Sequence, residues 1–166
     1  MNKYKIKKLC PYIFLAFSIS MLTGQNIIYT KTYPSGKPKI ISYIVNKGVD
    51  KVRQEEYFGN GTLKKEGYYQ SGNKEGKWKS YYSSGNIKKK ENFNNDKLDG
   101  ERITWHRNGK KKEKGIFRNG KREGIFLSWK EDGLLDSKQS YVNGLKCYFT
   151  KYSDSGSVVK VVNYCD

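Results

Sequence analysis

The sequence predicts an all-β protein: a meandering antiparallel sheet of one layer, in which about six tandem β-hairpin repeats form a solenoid. Three observations predict it. An aromatic residue four positions before a glycine recurs with a period of 24 residues. Asn-Gly pairs, the strongest two-residue hairpin signal, stand where this period needs turns. Aromatic residues make up 14% of the chain, whereas all hydrophobic residues reach only 36%, too few for a thick two-layer core.

Two columns of aromatic residues and one of glycines define the repeat, and we assign structural roles to all three. The first column pairs each aromatic residue with its glycine: Tyr57 with Gly61, Tyr81 with Gly85, Trp105 with Gly109, Trp129 with Gly133 and Tyr152 with Gly156. The second aromatic column stands eight positions after these glycines: Tyr69, Phe93, Phe117, Tyr141 and Tyr164. Columns that recur in register indicate stacked repeats, each of which contacts only its neighbours.

Two turns in each repeat leave two strands of about six or seven residues, the usual strand length. Successive side chains of a strand point to opposite faces of the sheet. Ile125, Leu127 and Trp129 therefore share one face, which we expect to be buried. Phe126 and Ser128 share the other face, which we expect to be polar. No stretch after residue 25 has the apolar spacing of a helix.

The N-terminus has the pattern of a secretory signal. Four lysines precede a mostly apolar stretch from Pro11 to Leu22, which is too short to span a bilayer. We expect residues 1–25 to be a signal peptide and the protein to be exported: periplasmic, on the outer surface or secreted. An uncleaved N-terminal anchor is the alternative. The remaining boundaries are 26–56 for a degenerate first repeat or N-terminal cap, 57–152 for the repeats and 153–166 for a C-terminal capping strand.

The chain is strongly basic, with a formal net charge of +17. Loss of residues 1–25 removes four of the 33 basic residues and none of the 16 acidic ones, which leaves 29 basic residues and a net charge of +13. Such a surplus favours anionic partners, although lysines also keep a protein soluble. Cys147 and Cys165 both fall in the last hairpin, where they form a disulfide in an oxidising compartment or stay as two free thiols.

No catalytic or metal site can be recognised in the sequence, and we predict that the protein is not an enzyme and uses no cofactor. His106 is the only histidine and occupies the repeat position of Tyr82 and Lys130, so we interpret it as a surface substitution. The two cysteines after residue 25 and this histidine lack the spacing of metal ligands. Glu55 and Glu56 are adjacent in a strand, point to opposite faces and cannot share a substrate.

Lysines recur at one position of the repeat and are candidate anion-binding residues. They are Lys64, Lys65, Lys88, Lys89, Lys90, Lys110, Lys111 and Lys112. Stacking of the repeats is expected to align them into a lysine ridge across the sheet. The alternative is that lysines on strands prevent sheets from joining edge to edge.

The segments Gly67–Gly85 and Gly115–Gly124 resemble the MORN repeat variant, of pattern G-x-Y-x-x-G-K-x-E-G-x-W-x-x-Y-Y-x-x-G. The resemblance covers roughly Tyr57 to Tyr152, which is most of the chain after residue 25, with weaker copies on both sides. It implies a curved single-layer sheet of successive hairpins. It also implies the roles linked to such proteins: antitoxin-like components of bacterial toxin–antitoxin systems, scaffolding of other proteins, or binding to membrane phospholipid.

We expect a non-catalytic interaction or scaffolding module of the cell envelope that binds a protein partner through the concave face of the sheet. Two alternatives stay open. In one, the lysine ridge binds anionic lipid or polysaccharide. In the other, the chain is an antitoxin-like component that binds a cognate toxin, which the export signal disfavours. Nucleic acid is the least favoured partner, because lysine greatly outnumbers arginine, whose fork suits phosphate better.

Overall fold

The computed structural model describes residues 26–46, 48 and 50–165, and within them the chain forms thirteen strands and no helix. The strands are β1 (Asn26–Thr32), β2 (Pro38–Asn46), β3 (Lys51–Tyr57), β4 (Leu63–Gln70), β5 (Asn73–Tyr81), β6 (Ile87–Asn94), β7 (Lys97–Leu98), β8 (Gly100–Trp105), β9 (Lys111–Arg118), β10 (Lys121–Trp129), β11 (Leu135–Val142), β12 (Leu145–Tyr152) and β13 (Val158–Asn163). The predicted signal peptide, residues 1–25, lies outside the described residues.

All thirteen strands belong to one antiparallel sheet, which follows the order of the chain from β1 at one edge to β13 at the other. The two-residue strand β7 pairs only with β6, so that β8 is the next full strand after β6. Every other connection is a hairpin between neighbours in the sequence. The fold predicted from the sequence, an open meander of β-hairpin repeats, is confirmed.

Two kinds of turn alternate along the sheet. The first kind follows the first aromatic column: the amide of His106 donates to the carbonyl of Lys110 at 2.8 Å, and Gly109 closes the turn with φ 86°. The second kind is a two-residue turn with positive φ at both central positions, 49° at Asn119 and 82° at Gly120, as a type I′ turn requires. Because both turns repeat, the strands return to the same register in each copy.

One face of the sheet, here called the aromatic face, carries two clusters of rings. The clusters are Tyr69, Trp78 and Phe93 in the first half and Phe117, Phe126 and Tyr141 in the second. Neighbouring rings meet edge to face with centroids 5.0 to 6.3 Å apart, a favourable geometry for aromatic pairs. Trp78 covers Gly67 and Phe126 covers Gly115 so closely that a Cβ on either glycine would lie 2.1 and 2.3 Å from the ring. These glycines let the rings lie against the backbone.

The structure corrects our assignment of the buried face. Ile125 and Leu127 do share a face that Phe126 does not, but Phe126 is only 2% exposed whereas Ile125 is 52% exposed. Trp105 and Trp129, expected in the buried column, are half-buried at the ends of their strands. In a single-layer sheet only neighbours on the same face can cover a side chain, and rings beside a glycine are covered best.

Side chains at the first kind of turn tie each repeat to the next. The hydroxyl of Tyr82 donates to the carbonyl of Trp105 at 2.7 Å, and Nε2 of His106 donates to the carbonyl of Trp129 at 2.8 Å. The side chain of His106 is only 11% exposed. Our interpretation of His106 as a surface substitution is therefore corrected, because this histidine replaces a tyrosine that makes the same bond between repeats.

A disulfide between Cys147 and Cys165 closes the last hairpin. It decides between the two states that the sequence left open for these cysteines. Beside it, the amide of Tyr164 donates to the carbonyl of Cys147 at 2.7 Å. The ring of Tyr164 is 55% exposed, unlike that of Tyr141, which is 7% exposed. Tyr164, the last member of the second aromatic column, therefore lies outside the ring clusters. The disulfide lies beside it, at the end of the sheet where no third ring cluster forms among the described residues.

Candidate functional site

The face opposite the aromatic face, here called the outer face, carries a hydrogen-bonded network between β2 and β5. Tyr57 and Tyr43 donate their hydroxyl hydrogens to the carboxylate of Glu55, at 2.6 and 3.1 Å. Tyr81 donates in the same way to Glu66 at 2.6 Å. The register of three adjacent hairpins brings these five side chains together. We call them, with Arg53, the tyrosine–glutamate network.

Arg53 joins the two carboxylates of this network, since its Nη2 lies 2.6 Å from an oxygen of Glu55 and 3.1 Å from one of Glu66. Burial, followed by the charge of Glu55, raises the pKa of Tyr43 to about 12. Burial, followed by the hydrogen bond to Glu66, raises the pKa of Tyr81 to about 12. These phenols stay protonated as donors, so the network satisfies its own charges and presents no activated nucleophile.

Three lysines surround Trp78 on the aromatic face and form a basic groove of about 250 Å³. The Nζ of Lys65 lies 4.7 Å from the ring centroid of Trp78 and that of Lys74 lies 5.5 Å away. Lys89, the third, is paired with Glu91 at 2.9 Å. Among the described residues, neither Lys65 nor Lys74 has a carboxylate within 4.0 Å. Burial and the charge of Lys74 lower the pKa of Lys65, as expected where positive charge is not balanced.

The lysines expected to form one ridge are divided between the two faces, because side chains alternate along each strand. Lys65 and Lys89 lie on the aromatic face, both directly across from Ser80. Lys88 and Lys90 lie on the outer face. The other members are Lys64, which pairs with Glu56, and the exposed Lys110, Lys111 and Lys112. The structure thus corrects the single ridge, and the anion-binding role of the eight lysines stays a prediction.

The outer face of the C-terminal half carries several exposed apolar side chains, and four of them are here called the apolar strip: Ile116, Ile125, Tyr148 and Val161. Ile125 and Tyr148 lie directly across from the same residue of β11, Ser140. The four side chains are between 50 and 64% exposed. Single exposed apolar residues are ordinary, whereas a group of them on one face marks an interaction surface. The sequence analysis missed this strip because it placed Ile125 in the core.

Chemistry for metal binding is not assembled in the part of the chain that the structure describes. Within residues 26–46, 48 and 50–165, no three side chains of the His, Cys, Asp and Glu types stand together as metal ligands would. The same residues contain no helix with the length and apolar character that crossing a membrane requires.

Comparison with known families agrees with this architecture. Residues 52–71, 74–95 and 98–119 match the MORN repeat variant in three consecutive copies. The matched copies run from β3 to β9 and contain the basic groove and every member of the tyrosine–glutamate network except Tyr43. A search of curated proteins gave no match. Repeats of this kind are generally non-enzymatic and serve in binding or scaffolding. Residues 52–119 therefore contain three consecutive MORN repeat variants.

Proposed function

We propose that this protein is an exported, non-catalytic interaction module that binds a protein partner through the apolar strip. The observation that carries the proposal is the exposure of Ile116, Ile125, Tyr148 and Val161 on one face of a rigid sheet. Leaving apolar side chains in water costs free energy that a partner would recover, at about 25 cal/mol for each Å² covered.

Charges beside the apolar strip indicate the character of the partner. Leu127 lies on the same face between Lys114 and Lys138, its cross-strand neighbours on β9 and β11. Lys114 is paired with Glu101 at 2.8 Å, whereas Lys138 is exposed. With the net charge of +17, this favours a partner whose apolar contact residues are flanked by carboxylates.

Two features support a place in the cell envelope. The sequence begins with lysines and an apolar stretch of the kind that directs export. The disulfide between Cys147 and Cys165 is of the kind that persists in oxidising compartments such as the periplasm or the exterior.

The test is capture of partners from envelope extracts by the full chain, at about 0.15 M and about 0.5 M salt, where screening of surface charge differs strongly. We expect one protein to be retained at both salt concentrations. It should be lost with Ile116→Ser/Ile125→Ser and kept with Leu134→Ser, an apolar residue 42% exposed at a turn away from the strip. Retention of the same protein by the strip variant would contradict the proposal.

A second candidate function, binding to an anionic lipid or polysaccharide surface, is favoured by the basic groove around Trp78. Lys65 and Lys74 hold ammonium groups above one ring, and no carboxylate of the described residues lies within 4.0 Å of either group. Co-sedimentation with anionic vesicles, or with polygalacturonate, should weaken for Lys65→Gln/Lys74→Gln. The matched variant Lys77→Gln/Lys138→Gln removes the same charge from the outer face. If both variants lose the same amount of binding, the binding depends on the net charge of the protein and not on the groove.

A further inference from the structure

Strand β13 lies at one edge of the sheet, and among the strands that the structure describes it pairs with β12 alone. Its valines are among the most exposed apolar residues described, with Val158 55%, Val159 59% and Val161 64% exposed. An edge strand offers unpaired backbone N–H and C=O groups to any extended chain that can lie beside it. β13 therefore combines backbone hydrogen-bonding groups with uncovered apolar side chains.

The ladder to β12 decides which backbone groups of β13 face outward. The amide of Tyr164 donates to the carbonyl of Cys147, so this residue directs its backbone toward β12. In an antiparallel ladder the direction alternates from one residue to the next. Counting back along the strand, Lys160 directs its backbone toward β12 and Val161 directs its backbone away from it, whereas the ladder has a register shift at Val159. Val161 therefore presents one N–H and one C=O group at the edge.

Covalent and hydrogen-bonded contacts fix the end of this strand. The disulfide from Cys147 to Cys165 and the amide of Tyr164 hold the chain beyond β13 against β12. A strand fixed in its bonding conformation loses less entropy when a partner pairs with it. The edge is thus preorganised for pairing.

Side chains of β13 define what a paired strand would carry. Val161 lies across from Thr150, on the outer face that bears Tyr148 of the apolar strip. Lys160 lies across from Lys151 on the aromatic face, and within the described residues no carboxylate comes within 4.0 Å of its ammonium group. A strand with an acidic residue between two apolar residues would place its carboxylate beside Lys160 and its apolar side chains beside the valines.

We propose that β13 binds an extended acidic segment of the partner protein by strand addition, in which apolar residues flank a glutamate or aspartate. This inference rests on the proposed function and names how the partner is held. The occupant is not a second copy of the chain. Self-pairing of Val-Val-Lys-Val-Val about its centre would set Lys160 against Lys160 with no carboxylate supplied by this strand, whereas Lys151, which lies across from Lys160 on β12, is paired with Asp136.

The test uses the full chain and a labelled peptide, acetyl-Thr-Thr-Val-Glu-Val-Thr-Thr-amide, with binding followed by fluorescence anisotropy. Val161→Pro removes an outward N–H without touching the ladder to β12, where an edge tolerates proline. Val161→Ile keeps both that N–H and the apolar side chain. We expect affinity to fall about tenfold for the proline variant and to stay within about threefold for the isoleucine variant, since one backbone hydrogen bond is lost only in the first.

If Val161→Pro does not fold, Lys160→Glu tests the same inference through the charge of the strand. Lys160→Glu should reverse the preference, so that the chain binds the same peptide with lysine in place of glutamate. Equal binding of both peptides by the wild-type chain would overturn the inference, and so would concentration-dependent dimerisation that the peptide does not compete with. If the β13 variants retain the captured partner while Ile116→Ser/Ile125→Ser loses it, strand addition fails and the proposed function stands.

Discussion

The two halves of the sheet have the same aromatic face and different outer faces. Each half carries a cluster of three rings around one buried ring, Trp78 in the first half and Phe126 in the second. On the outer face, the first half has the tyrosine–glutamate network, whose hydroxyls, carboxylates and guanidinium satisfy one another. The second half has the apolar strip, which nothing among the described residues covers.

This difference separates what holds the repeat together from what the repeat can bind. Both halves need rings on the aromatic face, because a single-layer sheet has no second layer to pack against. The outer face is free of that requirement. In one half it forms a closed polar network, and in the other it exposes apolar area. We therefore expect stability to depend on similar residues in both halves, and partner binding to depend on the second half.

The largest expected effect tests the shared face. Trp78→Ala and Phe126→Ala should each lower the free energy of unfolding by about 3–5 kcal/mol, because each removes a ring that is 2% exposed. Trp105→Ala, which removes a half-buried ring at the end of a strand, should cost about 1–2 kcal/mol. Urea unfolding followed by circular dichroism measures all three. A cost for Trp105→Ala equal to that of Trp78→Ala would contradict the assignment of the core.

An intermediate effect concerns pH and the tyrosine–glutamate network. The hydroxyl of Tyr43 has its pKa raised to about 12 in the fold, whereas a tyrosine in an unfolded chain titrates near 10. A raised pKa means that the folded state keeps the phenolic proton of Tyr43 up to a higher pH than the unfolded chain does. The stability from this group is full below about pH 10 and is lost as the pH rises through about 12, by about 2–3 kcal/mol.

A matched variant isolates this titration from that of the many lysines. Tyr43→Phe should lose part of the stability at pH 8 and show a shallower decline between pH 10 and 12. Tyr148→Phe, in the exposed strip of the other half, should follow the wild-type curve at every pH. Identical declines for Tyr43→Phe and the wild-type chain would show that the network does not hold this proton.

The repeat and its turns could be predicted from the sequence because each turn is specified locally. Glycine and asparagine at fixed spacing dictate positive φ, as Asn119 and Gly120 show, and the turns set the register. The buried face could not be predicted in the same way. In the sequence, Ile125 shares its face with Leu127, whereas Phe126 shares its face with the polar Ser128, so Ile125 is the better candidate for the core. Phe126 is nevertheless the buried residue, because its ring lies against Gly115 of the adjacent strand.

The candidate surfaces needed the pairing of several strands. Lys65 and Lys74 are separated by nine positions and meet only because β4 and β5 bring both to Trp78. The lysine ridge was predicted because lysines recur along the chain. Successive side chains of β6 point to opposite faces of the sheet, so the lysines of this strand are divided between the two faces. Tyr43 and Glu55 likewise meet across a hairpin whose register no local pattern encodes.

The smallest expected effect on stability comes from a substitution in the apolar strip, and it separates the outer faces of the two halves most directly. Ile125→Ser should change the free energy of unfolding by about 0.5 kcal/mol or less, because a side chain that is 52% exposed contributes little packing. Glu55→Gln, in the network of the first half, should cost about 1–3 kcal/mol, because the neutral amide loses the ion pair with Arg53 and turns an N–H donor toward that guanidinium. Thermal unfolding monitored by circular dichroism measures both variants. If Ile125→Ser destabilises the chain as much as Glu55→Gln, then the strip is part of the fold, and its exposed residues cannot be assigned to a partner.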